Sequence, residues 1–320
     1  MPIDPLVLDR FRSEPRTRPP RTIAQRRRRA EQADAKAWKE LGLPLPEADV
    51  QEHLVTVAEW PDVRIRLHRP VGVEEPLPVL ITFFGGAFRQ GGIDFRFNQW
   101  AHRARARDAG VVVLAVDYAL APEHRAPTQL EQGLAVLDWV VDHGAEHGID
   151  PTRIALGGQS SGGNLAACVV NENLVRRRHP VALQILEVPA LDLSTKSFSF
   201  EVLKEVRLPK FLARREYRSI ARDYLGKGKP STDPRYSPLH REDLSEVPPT
   251  VLMLSEFDVL RGDGVAYHTR LREAGVDSSA MLAVGQTHDS NAAVGALLSA
   301  RHWHVSVVGC LRTLHTPLTR

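Results

Sequence analysis

Arg153-Ile154-Ala155-Leu156-Gly157-Gly158-Gln159-Ser160-Ser161-Gly162-Gly163-Asn164-Leu165-Ala166-Ala167 is the stretch on which the fold of this chain turns. An apolar run enters a serine flanked by glycines at 158 and 162, and a small-residue pattern suited to a helix leaves it. Such a G-x-S-x-G order between strand and helix is a nucleophile elbow. The sharp turn forces the serine into strained backbone and lifts its hydroxyl above the sheet edge. Glycine is required on both sides because a side chain there would collide with the neighbouring strand and helix. Five residues of Gly and Ser are a weak pattern alone; the strand–turn–helix setting gives them weight.

The runs on either side of the elbow agree with it. Val79–Phe84, Val111–Val116, Ile154–Leu156 and Leu183–Val188 are short, apolar and β-rich, and Val251–Leu254 and Met281–Val284 add two more. Their full apolarity is what a parallel sheet covered on both faces demands. His53–Trp60 and Val63–His68 alternate around Pro61-Asp62 and predict an antiparallel hairpin. Helical patterns over Gln129–His143, Gly162–Arg177, Gly264–Ala274 and Asn291–Leu314 fall between strands. The expected fold is α/β: a mostly parallel eight-stranded sheet with helices on both faces.

Two stretches break the alternation. Residues 1–50 carry several prolines around one predicted helix, Thr22–Leu41, and residues 194–247 are long, rich in Arg, Lys, Phe and Tyr, and are followed by Pro248-Pro249. Both are expected to cap the carboxyl edge of the sheet, where such folds place ligands. The core is then 51–193 together with 248–320.

Composition narrows the function classes. The 320 residues are 42% hydrophobic and 25% charged, with a net charge of +3. Residues 1–40 hold eleven Lys/Arg against six Asp/Glu, the densest being Arg26-Arg27-Arg28-Arg29. Acidic residues follow closely and aromatic stacking residues do not, so a solvated helix face is expected there and no nucleic-acid site. Cys168 and Cys310 are too few for a disulfide framework and are not spaced as metal ligands. No run of about 18 apolar residues occurs, so a cytoplasmic protein without a membrane span is the default expectation.

A serine hydroxyl needs a base to take its proton and a third group to orient that base. Asp258 directly follows the run Val251–Leu254, and His288 follows Met281–Val284. The chain order Ser, Asp, His is the one this fold uses. Thirteen histidines make a histidine as such uninformative, but His288 stands just past a late strand. Glu256 and Asp263 compete with Asp258, which is preferred because it sits at the strand end. The loop Phe84-Gly85-Gly86-Ala87-Phe88-Arg89-Gln90-Gly91-Gly92 would supply backbone N–H donors for a developing oxyanion from Gly85, Gly86 and Ala87, with Ser161 N–H beside them.

Taken with Val116-Asp117-Tyr118-Ala119-Leu120-Ala121-Pro122-Glu123-His124, Tyr236-Ser237-Pro238-Leu239 and Asp258-Val259-Leu260-Arg261, these motifs resemble the hormone-sensitive-lipase-like bacterial esterases of the α/β-hydrolase fold. They cover about residues 60–290 in the right order. The resemblance implies a carboxylic-ester hydrolase acting on small or medium acyl groups through Ser160, Asp258 and His288. It implies no metal and no cofactor, and pairing into a homodimer through outer strands or terminal helices. Three departures stand out. Phe84 replaces the family's leading histidine, Ala87 its third glycine, and Asp289-Ser290-Asn291 the glycine and aromatic that follow the catalytic histidine. They suggest a specialised pocket in which Phe88 and Asp289 are candidate substrate contacts. Two other readings keep the same site: an N-acyl amide deacylase with Asp289 and Asn291 on a polar leaving group, and a non-catalytic ligand-binding relative, against which His288 argues.

Overall fold

The computed structural model describes residues 2–13, 20, 22–205, 209–227 and 231–316; Pro15 and Pro19 of the N-terminal segment lie outside them, as do 206–208 and 228–230 of the inserted one. The chain begins with α1 (Pro5–Ser13) and α2 (Ile23–Leu41), then pairs β1 (Asp49–Val55) with β2 (Val63–Arg69). After β3 (Leu77–Phe83) it alternates through α3 (Arg96–Ala109), β4 (Val112–Asp117), α4 (Thr128–His143), β5 (Ile149–Gln159), α5 (Ser161–Arg176) and β6 (Leu183–Glu187). Then α6 (Lys210–Leu225) intervenes before β7 (Thr250–Phe257), α7 (Arg261–Glu273), β8 (Ser278–Thr287) and α8 (Leu298–Arg312). The strands form one eight-stranded sheet in the order β1-β2-β4-β3-β5-β6-β7-β8. Strand β2 is antiparallel to both neighbours, and every other pairing is parallel.

Side-chain alternation splits the core into two layers. Val79, Ile81 and Phe83 of β3, with Leu114 and Val116 of β4, pack with α4 and α5 residues such as Leu134, Leu165 and Val169. Leu80 and Val113 point the other way and pack with Ala106 of α3 and with Trp303 and Val307 of α8. Both faces of these central strands are therefore dry, which is why their sequences are apolar throughout. A Leu→Ala change at such a site costs about 2–5 kcal/mol.

Several boundaries differ from expectation. The first strand runs over Asp49–Val55, four residues earlier than the alternation suggests. Val55 pairs with Val63, so residues 56–62 are the connection, closed by Val57 N–H donating to Asp62 Oδ1. Helix α3 has no counterpart among the predicted helices because its buried positions are His102, Ala104, Ala106 and Ala109. Alanine builds a close-packed face without the apolar stripe that periodicity detects. The long pattern predicted over Asn291–Leu314 splits into a 3-10 turn at Ser290–Ala292 and α8, since Ala293, Val294 and Leu297 turn aside to pack on Ile3 and Val7.

Helix α2 starts where a capping box places it: Gln25 N–H donates to Thr22 Oγ1, and Thr22 N–H to Gln25 Oε1. Arg26 and Arg27 are not a free solvated face. Arg26 Nη1 lies 3.2 Å from Glu216 on α6, and Arg27 forks onto Glu123 while Nε donates to the carbonyl of Arg89. Asp34 on the same helix accepts the N–H groups of Arg96 and Phe97 and so caps α3. No helix among the described residues is long and apolar enough to cross a membrane.

Candidate active site

Strand β5 delivers Ser160 at the sheet's carboxyl edge with φ 55° and ψ −116°, a conformation L-residues rarely hold. The flanking glycines are sterically compelled. A β-carbon on Gly162 would lie 2.0 Å from the carbonyl oxygen of Phe83, and one on Gly158 would lie 2.4 Å from the Gly162 carbonyl carbon. The turn is pinned further by Ser160 N–H donating to the Glu187 carbonyl at the end of β6, at 2.8 Å. Because Ser160 caps α5, the amide of Ser161 occupies the first turn of that helix, where N–H groups lack intrahelical acceptors and the helix dipole is positive.

Strands β7 and β8 are neighbours, and Phe257 sits opposite Thr287 in their register. The next residue of each strand is therefore brought side by side: Asp258 and His288. His288 Nδ1 lies 2.7 Å from Asp258 Oδ2, and its Nε2 lies 3.0 Å from Ser160 Oγ. Asp258 is 2% exposed, and its Oδ1 accepts Leu260 N–H, which fixes the carboxylate plane. In the neutral ring, with Nδ1–H donated to Asp258, Nε2 carries the lone pair that faces the serine hydroxyl. Burial alone would push the imidazole pKa down. The charge and hydrogen bond of Asp258, joined by the charge of Asp289, reverse this and hold it at about 9.

The competing acids are engaged elsewhere. Glu256 Oε2 accepts Gly285 N–H. Asp263 is fully buried and accepts Leu191 N–H, Asp192 N–H and the Ser197 hydroxyl, holding the segment that leaves β6. Among the described residues no group of three or more His, Cys, Asp or Glu is arranged to hold a metal ion.

The glycine-rich loop reaches Ser160. A β-carbon on Gly85 would lie 3.4 Å from Ser160 Cβ, so this backbone passes directly beside the serine. Gly86 accepts Arg89 and Gln90 N–H in a tight turn, and Ala87 and Phe88 hold φ of 55° and 59°. Phe84 lacks the polar group of the histidine it replaces, but its ring stacks on Tyr118 at 4.1 Å and its carbonyl accepts the Tyr118 hydroxyl at 2.9 Å. A tyrosine thus supplies from the neighbouring strand end an anchor for the loop. The ring of Phe88 is buried and stacked on Tyr224 of α6. Asp289 is exposed beside His288, whereas Asn291 Oδ1 accepts Gln159 Nε2 and so braces the elbow. Phe97 packs on Trp38, and Phe198 packs on Phe200 and Tyr217.

Sequence reasoning missed two supports. Asn164 Nδ2 donates to the carbonyls of Ala190 and Tyr236, tying α5 to the segment after β6. Arg89 is buried although it sits in a loop of small residues; a lone charge among glycines was its only sequence signal. A cavity of about 550 Å³ lies against Phe84 and Tyr118, with Asp94 and Asp117 in its wall, and its lining includes neither Ser160 nor His288.

Comparison with known proteins agrees with this fold. A family model described as the alpha/beta hydrolase fold matches residues 80–291. The chain is 32% identical over 243 residues to the carboxylesterase NlhH of Mycobacterium tuberculosis, covering 72% of each. It is also 32% identical over 244 residues to the ethyl acetate hydrolase of Pseudomonas putida, covering 73% of each. A hyperthermophilic esterase from the archaeon Pyrobaculum calidifontis superposes with a TM-score of 0.87 at 27% identity, over 98% of this chain and 99% of that one. The chain belongs to the α/β-hydrolase family and, within it, to the hormone-sensitive-lipase-like esterases.

Proposed function

We propose that this chain is a serine hydrolase that cleaves carboxylic esters of small or medium acyl groups by way of an acyl-enzyme. The hydrogen-bond relay Asp258–His288–Ser160, at 2.7 and 3.0 Å, carries the proposal. His288 Nε2 takes the Ser160 proton as Oγ attacks the acyl carbon, Asp258 stabilises the imidazolium, and the same imidazolium then protonates the leaving alcohol. A water deprotonated by His288 releases the acid. The amides of Gly85, Gly86, Ala87 and Ser161 receive the oxyanion. An amide-cleaving role finds less support: of Asp289 and Asn291, the pair read for a polar leaving group, Asn291 has its Oδ1 engaged by Gln159 Nε2. The three relatives described above carry the names of ester hydrolases. Replacing Ser160 by Ala should lower turnover of p-nitrophenyl acetate by about 10³-fold or more; a variant near the parent rate would refute the assignment.

In this reading residues 1–50 and 194–247 cap the site, and Phe88 and Asp289 border the substrate. Two free thiols, Cys168 and Cys310, favour a cytoplasmic setting, which fractionation of the producing cells would test. The outer strand β8 exposes Met281, Leu282 and Val284 without a charge between them. An edge of that kind favours a homodimer, and light scattering giving a monomer's mass would exclude it.

A further inference from the structure

Arg89 is unused by the chemistry above, yet it is among the most buried charged side chains of the molecule, at 2% exposure. Its Nη2 donates to Glu216 Oε1 at 2.6 Å and its Nη1 to Asp223 Oδ2 at 3.0 Å, both on α6 of the inserted segment. Arg27 of α2 donates Nε to the Arg89 carbonyl at 2.8 Å, and Arg26 reaches the same Glu216. One residue before Arg89, the Phe88 ring stacks on Tyr224 of α6 at 3.8 Å, and the Phe88 carbonyl accepts Ala121 N–H. Two helices outside the sheet's alternation, α2 and α6, therefore converge on one point of the glycine-rich loop.

At that point the backbone is strained, although the Gly86 carbonyl closes the turn by accepting Arg89 and Gln90 N–H. Ala87 and Phe88 are consecutive L-residues in the left-handed region, a conformation that persists only where surroundings over-determine it. A buried guanidinium is retained only while its carboxylates stay in place. Seating α6 and holding the left-handed turn are thus a single event, joined through Arg89. We propose that Arg89 is a positioning residue through which the seated cap holds the amides of Gly85, Gly86 and Ala87 in the arrangement that receives the oxyanion. The cap then completes the site besides covering it. Lysine is not an equivalent, since one ammonium does not fork onto Glu216 and Asp223, seven residues apart on α6. The inference rests on the ester-hydrolase reading.

The test compares Arg89→Met with Glu216→Gln and Asp223→Asn, which approach the same contact from the partly exposed side. Turnover of p-nitrophenyl acetate is measured per active site titrated with a fluorophosphonate, so that loss of folded protein is divided out. For Arg89→Met, kcat per titrated site should fall by about 10- to 100-fold with KM changed less than about threefold. Affinity for a boronic acid, whose tetrahedral adduct carries the oxyanion, should fall in parallel. Each carboxylate variant should show the same signature at about 3- to 10-fold, and added guanidinium at low concentration should partly restore Arg89→Met. If Arg89→Met gives no titratable protein, the two carboxylate variants decide. Parental kcat per titrated site, with only the number of sites reduced, would overturn the proposal by making Arg89 a folding contact. Ser160→Ala, run alongside, separates the two levels. Its retained turnover would remove the hydrolase reading and this proposal together, whereas its silence beside a parental Arg89→Met removes the proposal alone.

Discussion

The nucleophile elbow and the loop from Phe84 to Gly92 meet over the same hydroxyl, and they are held in place by different means. At the elbow the constraint is backbone against backbone: Gly158, Gly162 and the Phe83 carbonyl leave no room for a β-carbon, and Ser160 N–H is tied to the end of β6. Asp258 and His288 are likewise set by two adjacent strand ends. The loop has backbone ties as well, its Gly86 carbonyl accepting Arg89 and Gln90 N–H and its Phe88 carbonyl accepting Ala121 N–H, but it adds a second means. Side chains from elsewhere hold it too: Tyr118 stacks on Phe84 and Tyr224 on Phe88, Glu216 and Asp223 accept the Arg89 guanidinium, and Arg27 donates to the Arg89 carbonyl. The sheet thus carries Ser160, Asp258 and His288, while groups outside the sheet shape the loop beside them. Substitutions in the first region should abolish activity or folding, and those in the second should tune it.

The sharpest way to break this contrast lies in the first region. Asp258→Asn should lower kcat by about 10³–10⁴-fold, because the amide offers Nδ1 the wrong partner and favours the unproductive tautomer. Steady-state kinetics with wild-type-like circular dichroism would check it, and a loss below tenfold would move the orienting role to another acid. Next in size, Gly162→Ala should cost about 4 kcal/mol or more, or yield no folded protein, since the new methyl meets a backbone oxygen that cannot retreat. Urea unfolding measures this, and a midpoint equal to the parent's would show the elbow to be plastic.

A smaller effect concerns pH. A general base works as neutral imidazole, and His288, held at about 9, is mostly protonated at neutral pH. The kcat/KM profile should therefore rise with pH up to about 9 before levelling. Asp289→Asn removes a carboxylate that favours the imidazolium, so the rising limb should move to lower pH and kcat/KM at pH 7 should increase about two- to fivefold. A limb that stays in place would mean that Asp289 is screened from the ring. Least is expected from Ala87→Gly, which places a residue tolerant of positive φ in the tuned region. Thermal unfolding should shift by no more than about 1 kcal/mol in either direction, while the ratio of rates on acetyl and hexanoyl esters changes as the methyl disappears. An unchanged ratio would show that Ala87 does not border the acyl group.

Much of the site was legible before any coordinates, for a physical reason: strand-end residues and obligatory glycines announce themselves through local pattern. Ser160, Asp258 and His288 each follow an apolar run, and a parallel sheet aligns the ends of its strands wherever they lie in the chain. The existence of eight strands and of α4, α5 and α7 was readable for the same cause, since buried faces impose periodicity. Other features carry no such signature. Helix α3 hides because alanine and a histidine form its buried face, and β1 begins early because its position is decided by pairing with β2. The basic run at 26–29 looks like a solvated surface until Glu216 and Glu123 are seen opposite Arg26 and Arg27.

Residue order alone determined the class of fold and singled out the proposed nucleophile, base and acid, because each depends on a short segment and on the general rule for joining strands. Tertiary structure alone decided what holds the loop beside them: a tyrosine from β4's end, Arg27 from α2 with Arg26 beside it on Glu216, and two carboxylates from α6, lying 34 to 134 residues away along the chain. Such partners leave no periodic trace, since an ion pair or an aromatic stack needs proximity in space and asks nothing of spacing in the chain.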